Sequence, residues 1–150
     1  MKGFYPKRPV KSFQDLEVYQ KALAVCVAVV NRVREDRAGK GKTKQTDALL
    51  AGVYDLITTE LAHRVLKIPL QIAQAHSWRF ADQTKALATL EEAMTNCNLA
   101  VVYLEQYRDI CNTGIEAEFF EEQVKGLMAL RQKTLYLQRS WRKFIGGNAA

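Results

Sequence analysis

Apolar residues recur at helical spacing from the start of the chain. Two stripes run side by side through residues 16–33, and their combined width exceeds what one helix-helix contact needs. The first consists of Leu16, Tyr19, Leu23, Cys26, Val30 and Val33, at intervals typical of a heptad seam, and the second of Val18, Ala22, Val25 and Val29. Ser12 with Asp15 forms a capping-box pattern at the start. The pattern predicts a first helix covered on two sides, by its own bundle and by another subunit.

Three further periodic segments follow a basic, glycine-containing loop at 36–44. The second helix is predicted over 46–75, the third after a cap at Asp82, and the fourth over the acidic-to-basic stretch that ends before Gly146. The stretch HSWRFAD between the second and third helices is interpreted as a connection. The predicted inward positions of the second helix are Leu49, Val53, Leu56, Leu61, Val65, Ile68 and Ile72.

Four long helices with short connections predict one domain over 1–150, with flexible tails at 1–11 and 146–150. The fold class is all-α, an antiparallel up-down four-helix bundle. Pro69 lies inside the second helix, where it cannot donate a backbone hydrogen bond to the carbonyl of Val65. We therefore expect a structural kink in the second helix at Pro69.

Composition narrows the setting of the protein. No apolar run reaches the roughly 20 residues that a bilayer-spanning helix needs, and no signal-peptide pattern follows the basic start. The three cysteines have no CxxC spacing, so neither a zinc cluster nor a disulfide framework is predicted. We expect a cytoplasmic protein without a membrane partner.

Charge is segregated along the chain, whose net charge is +6. Residues 1–44 contain 11 Lys and Arg against 4 Asp and Glu, whereas residues 45–122 contain 5 against 12. Residues 123–150 contain 6 basic residues and no acidic one. Such segregation can produce a one-signed face that attracts a polyanion, and the acidic middle could meet a basic partner or a second copy.

Catalytic chemistry finds little support in the sequence. Glu60 and His63 form an ExxH pair of the kind that binds iron in ferritin-like bundles, but a di-metal site needs two such motifs. Cys26 and Cys97 occupy seam positions and are expected to be small core residues. There is no phosphate loop and no GxSxG motif. We therefore predict no catalytic residue, metal site or cofactor, and no enzyme activity.

Basic residues of the first and last helices are the candidate nucleic-acid contacts. They are Arg32, Arg34, Arg37, Lys40, Lys42, Lys44, Arg131, Lys133, Arg139, Arg142 and Lys143. Tyr136 and Trp141 are interleaved with the last group. Because phosphate neutralisation releases counterions, clustered cations of this kind favour RNA or DNA. No base-reading module is present, so binding is expected to depend on charge and shape and to be sensitive to salt.

Two segments resemble a known family. The opening SFQDLEVYQKA at 12–22 resembles the motif F-x-D-L-x-V-[WY]-x-K-A of the four-helix-bundle proteins encoded within intervening sequences of large-subunit ribosomal RNA genes. The segment IPLQIAQA at 68–75 is similar to the central I-P-x-N-I-A-E-G of that family, with Gln71, Gln74 and Ala75 replacing Asn, Glu and Gly. The similarity spans about residues 13–145.

The resemblance implies a bundle that assembles as a homopentameric barrel. One branch of this superfamily is the accessory variability determinant of diversity-generating retroelements, which binds a reverse transcriptase and nucleic acid and supports complementary-DNA synthesis. The basic last helix, with Ser140 and Trp141, is similar to that branch. For this chain it implies a homo-oligomeric nucleic-acid-binding adaptor that assists a reverse transcriptase. The alternative is a structural oligomer that bridges proteins, encoded in a ribosomal RNA intervening sequence and without a nucleic-acid role.

Overall fold

The structure is a computed structural model that describes residues 10–39, 41 and 44–146, with side chains up to residue 143. A short 3-10 helix, Phe13–Asp15, precedes four long α-helices. These are α1 (Glu17–Ala38), α2 (Ala48–Trp78), α3 (Gln83–Ile110) and α4 (Ala117–Gly146). The described residues contain no strand. The all-α prediction is confirmed.

The first capping box forms as predicted, but on the 3-10 helix. The backbone N–H of Gln14 donates to Oγ of Ser12 over 3.2 Å, and that of Ser12 donates to the Asp15 carboxylate over 3.3 Å. Lys11, in the predicted flexible tail, also donates its N–H to Asp15. Leu16 then adopts an extended backbone, so α1 begins at Glu17 and not directly at the cap.

Both ends of α2 differ from the prediction. Asp47 caps the first turn by accepting from the N–H of Leu50 over 2.7 Å, and the helix continues to Trp78. The first three residues of the predicted connection HSWRFAD are therefore helical, and residues 79–82 join α2 to α3. Asp82 caps α3 as predicted, because its carboxylate accepts from the N–H of Lys85 over 3.1 Å.

The four helices contact one another in a cycle, as in a four-helix bundle. Helix α2 packs against α1 and α3, and α4 packs against α3 and α1. The core they enclose is apolar, and its largest fully buried side chains include Tyr54, Leu61, Ile68 and Ile72 of α2 and Leu90, Leu104 and Tyr107 of α3, with Phe120, Leu127 and Leu130 of α4.

Several apolar positions predicted to face inward are exposed. Leu49 and Leu56 of α2 are 74% and 62% exposed, and Leu23 of α1 is 42% exposed. Helix α1 buries most of its second stripe, including Ala22 and Val29. A helix packed through the first stripe alone would have buried Leu23. The predicted wide apolar arc on α1 is present, and its outer part has no covering element within the described residues.

A polar cluster joins the end of α1 to α2 and α3. The hydroxyls of Tyr54 and Tyr107 both donate to the Asp36 carboxylate, over 2.6 and 2.5 Å. Burial and the adjacent Asp36 carboxylate raise the pKa of both tyrosines well above the usual phenol range. Gly41 packs so closely that a Cβ there would lie 2.2 Å from the Asp36 carboxylate. This part of the predicted basic loop is therefore held against α1.

Pro69 lies inside the continuous helix α2 and is buried. Its neighbour Gln71 accepts a 2.8 Å hydrogen bond from the Asn96 side chain of α3. A contact between helices therefore follows directly after the proline. The kink at Pro69 remains a prediction.

Candidate nucleic-acid interface

The eleven basic residues predicted from the sequence do not form one surface. Helix α4 has 30 residues and is about 45 Å long. Arg32 of α1 lies beside Glu116, which immediately precedes α4, whereas Arg139, Arg142 and Lys143 occupy its last turns. The structure therefore places these candidates at opposite ends of α4, and Arg131 and Lys133 lie near its middle. Lys40 and Lys42 lie outside the described residues.

Three of the candidates are bound to groups on neighbouring helices or on the segment before α4. Arg32 forms ion pairs of 3.2 and 3.1 Å with Glu35 and Glu116. Arg37 donates to the hydroxyls of Thr58 and Thr59 on α2.

Lys133 of α4 reaches back to α1 and pairs with Glu17 over 2.7 Å. Hydrogen bonds from Lys133 and Lys21 lower the pKa of the Glu17 carboxyl. We call Arg32, Arg37 and Lys133 the paired cations. Because their donors already serve protein acceptors, they contribute first to holding helices together.

Three other candidates have varied surroundings. Arg131 is half-buried between helices, and its Nε has no hydrogen-bond acceptor among the described residues. Lys44 is exposed, and its Nζ lies close to Gly114 in the segment before α4. Arg34 is exposed at the edge of a groove between α1 and α2. None of the three belongs to the cluster at the far end of α4.

The groove between α1 and α2 has a volume of about 700 Å³ and is largely apolar. Val30, Val33, Ala62 and Leu66 form its apolar walls, and Arg34 and Arg37 give it a basic character beside His63. Leu66 is 52% exposed although it lies between two helices. The groove is thus an apolar surface edged by cations.

Arg139, Arg142 and Lys143 lie close together on the last turns of α4, and we call them the free cations. All three are exposed, and none has a hydrogen bond or ion pair to any described residue. Tyr136, 57% exposed, lies three residues before Arg139 and seven before Lys143, which places its ring on the same helix face. The last turns of α4 therefore present positive charge beside an aromatic ring.

The turn between α2 and α3 adds aromatic and basic groups that sequence reasoning missed. Phe80 is 77% exposed, and the guanidinium of Arg79 lies 4.3 Å from its ring centroid. The Lys85 ammonium lies 3.9 Å from the ring centroid of Trp78. The ring of His76 lies 6.3 Å from that of Trp141, so this turn and the free cations share one end of the bundle. The clue in the sequence was the density of aromatic and basic residues in HSWRF.

The geometry does not support the two catalytic alternatives, a metal site at Glu60 and His63 and a cysteine nucleophile. Glu60 lies 3.7 Å from Arg64, and among the described residues no group of three or more His, Cys, Asp or Glu side chains could hold a metal ion. Cys26 and Cys97 are buried, as predicted for core residues, and burial raises the pKa of the Cys97 thiol to about 12. Such a thiol is a poor nucleophile at neutral pH.

Comparisons with protein-family models, curated proteins and solved structures find no match to this chain. Within the described ranges, no helix combines the length and the apolar character needed to cross a membrane.

Proposed function

We propose that this protein is a non-enzymatic, homo-oligomeric adaptor that binds nucleic acid through the free cations at the end of α4. The observation that carries the proposal is that Arg139, Arg142 and Lys143 are exposed, close together on one helix and without acidic partners among the described residues. Cations that hold no protein acceptor can bind phosphates without first breaking an ion pair. Tyr136 adds an exposed ring to the same face.

Counterion release supplies the driving force for this binding. Each phosphate that a Lys or Arg neutralises releases condensed ions, and this release favours association most at low salt. No acidic residue follows Glu122, so no carboxylate on the last turns of α4 competes with phosphate for the free cations. Arg34 and Lys44 lie at the opposite end of the bundle from the free cations, and they are secondary contacts.

The adaptor is expected to be built on an antiparallel bundle. Glu17 at the start of α1 pairs with Lys133 late in α4, and Arg32 late in α1 pairs with Glu116 just before α4. Tyr54 early in α2 and Tyr107 late in α3 share Asp36. Contacts of this order support antiparallel neighbours with short connections.

Assembly is proposed to bury the groove between α1 and α2 against a second copy. The exposed face of α3 is complementary to it, since Val102 and Ile110 are 48% and 47% exposed and share this face with Glu105 and Asp109. Apolar and acidic side chains of this face, with Arg108 pairing Asp109 over 2.7 Å, meet an apolar groove edged by Arg34 and Arg37. The groove and the exposed face of α3 are different surfaces of the protein. The contact between two copies therefore repeats head to tail, and it forms a ring if it closes. The family resemblance implies that this ring is a pentamer.

Leu66→Glu tests this assembly by placing a charge in the groove. We expect its mass by light scattering to fall to that of one chain at micromolar concentration, because the carboxylate would be buried against an apolar and acidic face. Met128→Glu, at an α4 position with 48% exposure, is the matched control and should keep the mass of the original protein. An original protein that is already monomeric, or a Leu66→Glu variant with unchanged mass, contradicts the assembly.

The resemblance also supports an accessory role to a reverse transcriptase in template-RNA-dependent complementary-DNA synthesis. In that role the oligomer would hold the template near the enzyme, and the free cations would contact its phosphates. The chemistry of strand synthesis belongs to the polymerase, so the adaptor itself requires no catalytic residue.

Replacing Arg139, Arg142 and Lys143 together by Gln tests the nucleic-acid proposal. Affinity for a structured RNA, measured by fluorescence anisotropy at about 0.1 M salt, should fall on the order of 100-fold as three phosphate contacts are lost. The control replaces Lys21, Arg108 and Lys125 by Gln, which removes the same charge from exposed positions on three helices. Its affinity should change less than about threefold. Equal losses in both variants would contradict a local binding surface.

A structural oligomer that bridges proteins is the second candidate. It is favoured by the paired cations, because Arg32, Arg37 and Lys133 bind acceptors of the protein itself. This candidate predicts that the protein binds neither RNA nor DNA at 50 mM salt, and that the triple variant assembles as the original protein does. Absence of binding at that salt concentration would replace the adaptor by this alternative.

A further inference from the structure

The turn between α2 and α3 exposes an aromatic ring that the fold itself does not use. Phe80 is 77% exposed, the largest fraction among the exposed large apolar side chains of the described residues. Within the described residues, the Arg79 guanidinium lies over this ring, 4.3 Å from its centroid. One face of the ring is thus covered by a cation, and the exposed fraction leaves the opposite face open to a ligand.

Hydrogen bonds hold this turn in a defined conformation. The N–H of Asp82 donates to the carbonyl of Trp78 over 2.8 Å, and the Asp82 carboxylate caps α3. The Arg79 guanidinium donates to the carbonyl of His76 over 2.6 Å. Because these bonds lie on both sides of Phe80, its ring is displayed from a short, constrained segment. A preorganised ring loses little conformational entropy when a flat partner stacks on it.

Further cations lie at the same end of the bundle as the exposed ring. Lys85 lies over Trp78, and Trp141 connects the turn to the segment that contains Arg142 and Lys143 through its ring contact with His76. The one carboxylate of the turn, Asp82, serves as the α3 cap. The turn thus combines a stacking ring with nearby positive charge, which is the combination that proteins use to bind single-stranded nucleic acids.

We propose that this turn binds an unpaired base of single-stranded nucleic acid, with the base stacked on the open face of Phe80 and Arg79 on the other face. Lys85 and Arg142 would then contact the flanking phosphates. The inference rests on the proposed nucleic-acid function and specifies its ligand class. Bases inside a duplex present only their edges, so a ring on a convex turn selects strands whose bases are free.

The test compares two fluorescein-labelled probes of equal length, a 12-nucleotide single strand and the corresponding duplex, each as RNA and as DNA. Phe80→Ala should weaken binding of both single strands on the order of 10-fold and leave both duplex affinities unchanged. Phe80→Trp should retain the original affinity because it restores a stacking surface. Met128→Ala, at an exposed apolar position on α4, is the control and should bind all four probes like the original protein.

Three outcomes overturn the proposal. Unchanged single-strand binding by Phe80→Ala shows that the ring is not used. An equal loss on duplex and single strand shows that the ring does not select free bases. A changed mass by light scattering, with both probes affected, assigns Phe80 to a contact between copies. If the Arg139, Arg142 and Lys143 variant loses binding while Phe80→Ala does not, the adaptor function stands and only the stacking site fails.

Discussion

The two ends of the bundle use basic residues in opposite ways. At the end of α1, Arg32 and Arg37 donate to Glu116 and to threonines of α2, beside the cluster of Asp36 and two tyrosines. At the end of α4, the free cations Arg139, Arg142 and Lys143 have no such acceptors within the described residues. Arg32 and Arg37 thus stabilise the fold at one end, whereas the free cations remain accessible at the other.

The difference depends on what lies across the helix interface. Glu116 is 84 residues away from Arg32 along the chain, and Glu17 is 116 away from Lys133. Charge counts along the sequence cannot show such pairs, because only folding brings the partners together. Basic content alone is therefore a poor guide to a nucleic-acid surface, and the absence of an internal partner is a better one.

The largest effect that sharpens this comparison is expected at Asp36. Asp36→Ala leaves the buried hydroxyls of Tyr54 and Tyr107 without their acceptor, and we expect the free energy of unfolding in urea to fall by about 3 kcal/mol. Glu35→Ala, which removes the adjacent exposed carboxylate, should cost less than about 1 kcal/mol.

Nucleic-acid affinity should be unchanged in the folded Asp36→Ala protein, since the α1 end is structural in this account. If Asp36→Ala is as stable as Glu35→Ala, the cluster does not hold α1 to its neighbours. If it is stable but binds RNA poorly, the functional end has been assigned wrongly.

Smaller effects are expected when one cation from each end is replaced, and the two replacements should affect stability and RNA affinity in opposite ways. Arg37→Gln should lower the free energy of unfolding by about 1 kcal/mol, because Thr58 and Thr59 lose a charged donor, and should leave RNA affinity unchanged. Arg139→Gln should change stability by less than about 0.5 kcal/mol and weaken RNA binding roughly 10-fold. Urea unfolding and anisotropy on the same preparations give the four values. A reversed or uniform pattern would remove the distinction between paired and free cations.

Much of the fold could be predicted from local signals. The caps at Ser12 and Asp82, the four helical segments and the burial of Cys97 follow from side-chain chemistry and periodicity. Leu49 and Leu56 were wrongly predicted to face inward, because a stripe at heptad spacing does not indicate whether the bundle or another surface covers it. Long helices with two apolar faces make this error hard to avoid.

The candidate site was predictable only in part. The acid-free last segment pointed to Arg139, Arg142 and Lys143, and the structure leaves these residues exposed. Arg79 and Phe80 do lie in the predicted connection, but their surroundings could not be predicted, because these depend on where α2 ends and on the four-residue turn that follows it. Shortening the connection brings its aromatic and basic residues to one end of the bundle.

The salt dependence of RNA binding tests the central claim most directly. Log affinity should be measured against log salt between 50 and 200 mM for the original protein and for the variant with Gln at 139, 142 and 143. Each phosphate contact contributes about 0.9 to the slope, so this account predicts a slope shallower by about 3 in the variant. Equal slopes in the two proteins would show that the end of α4 does not contact phosphate, and would contradict the account.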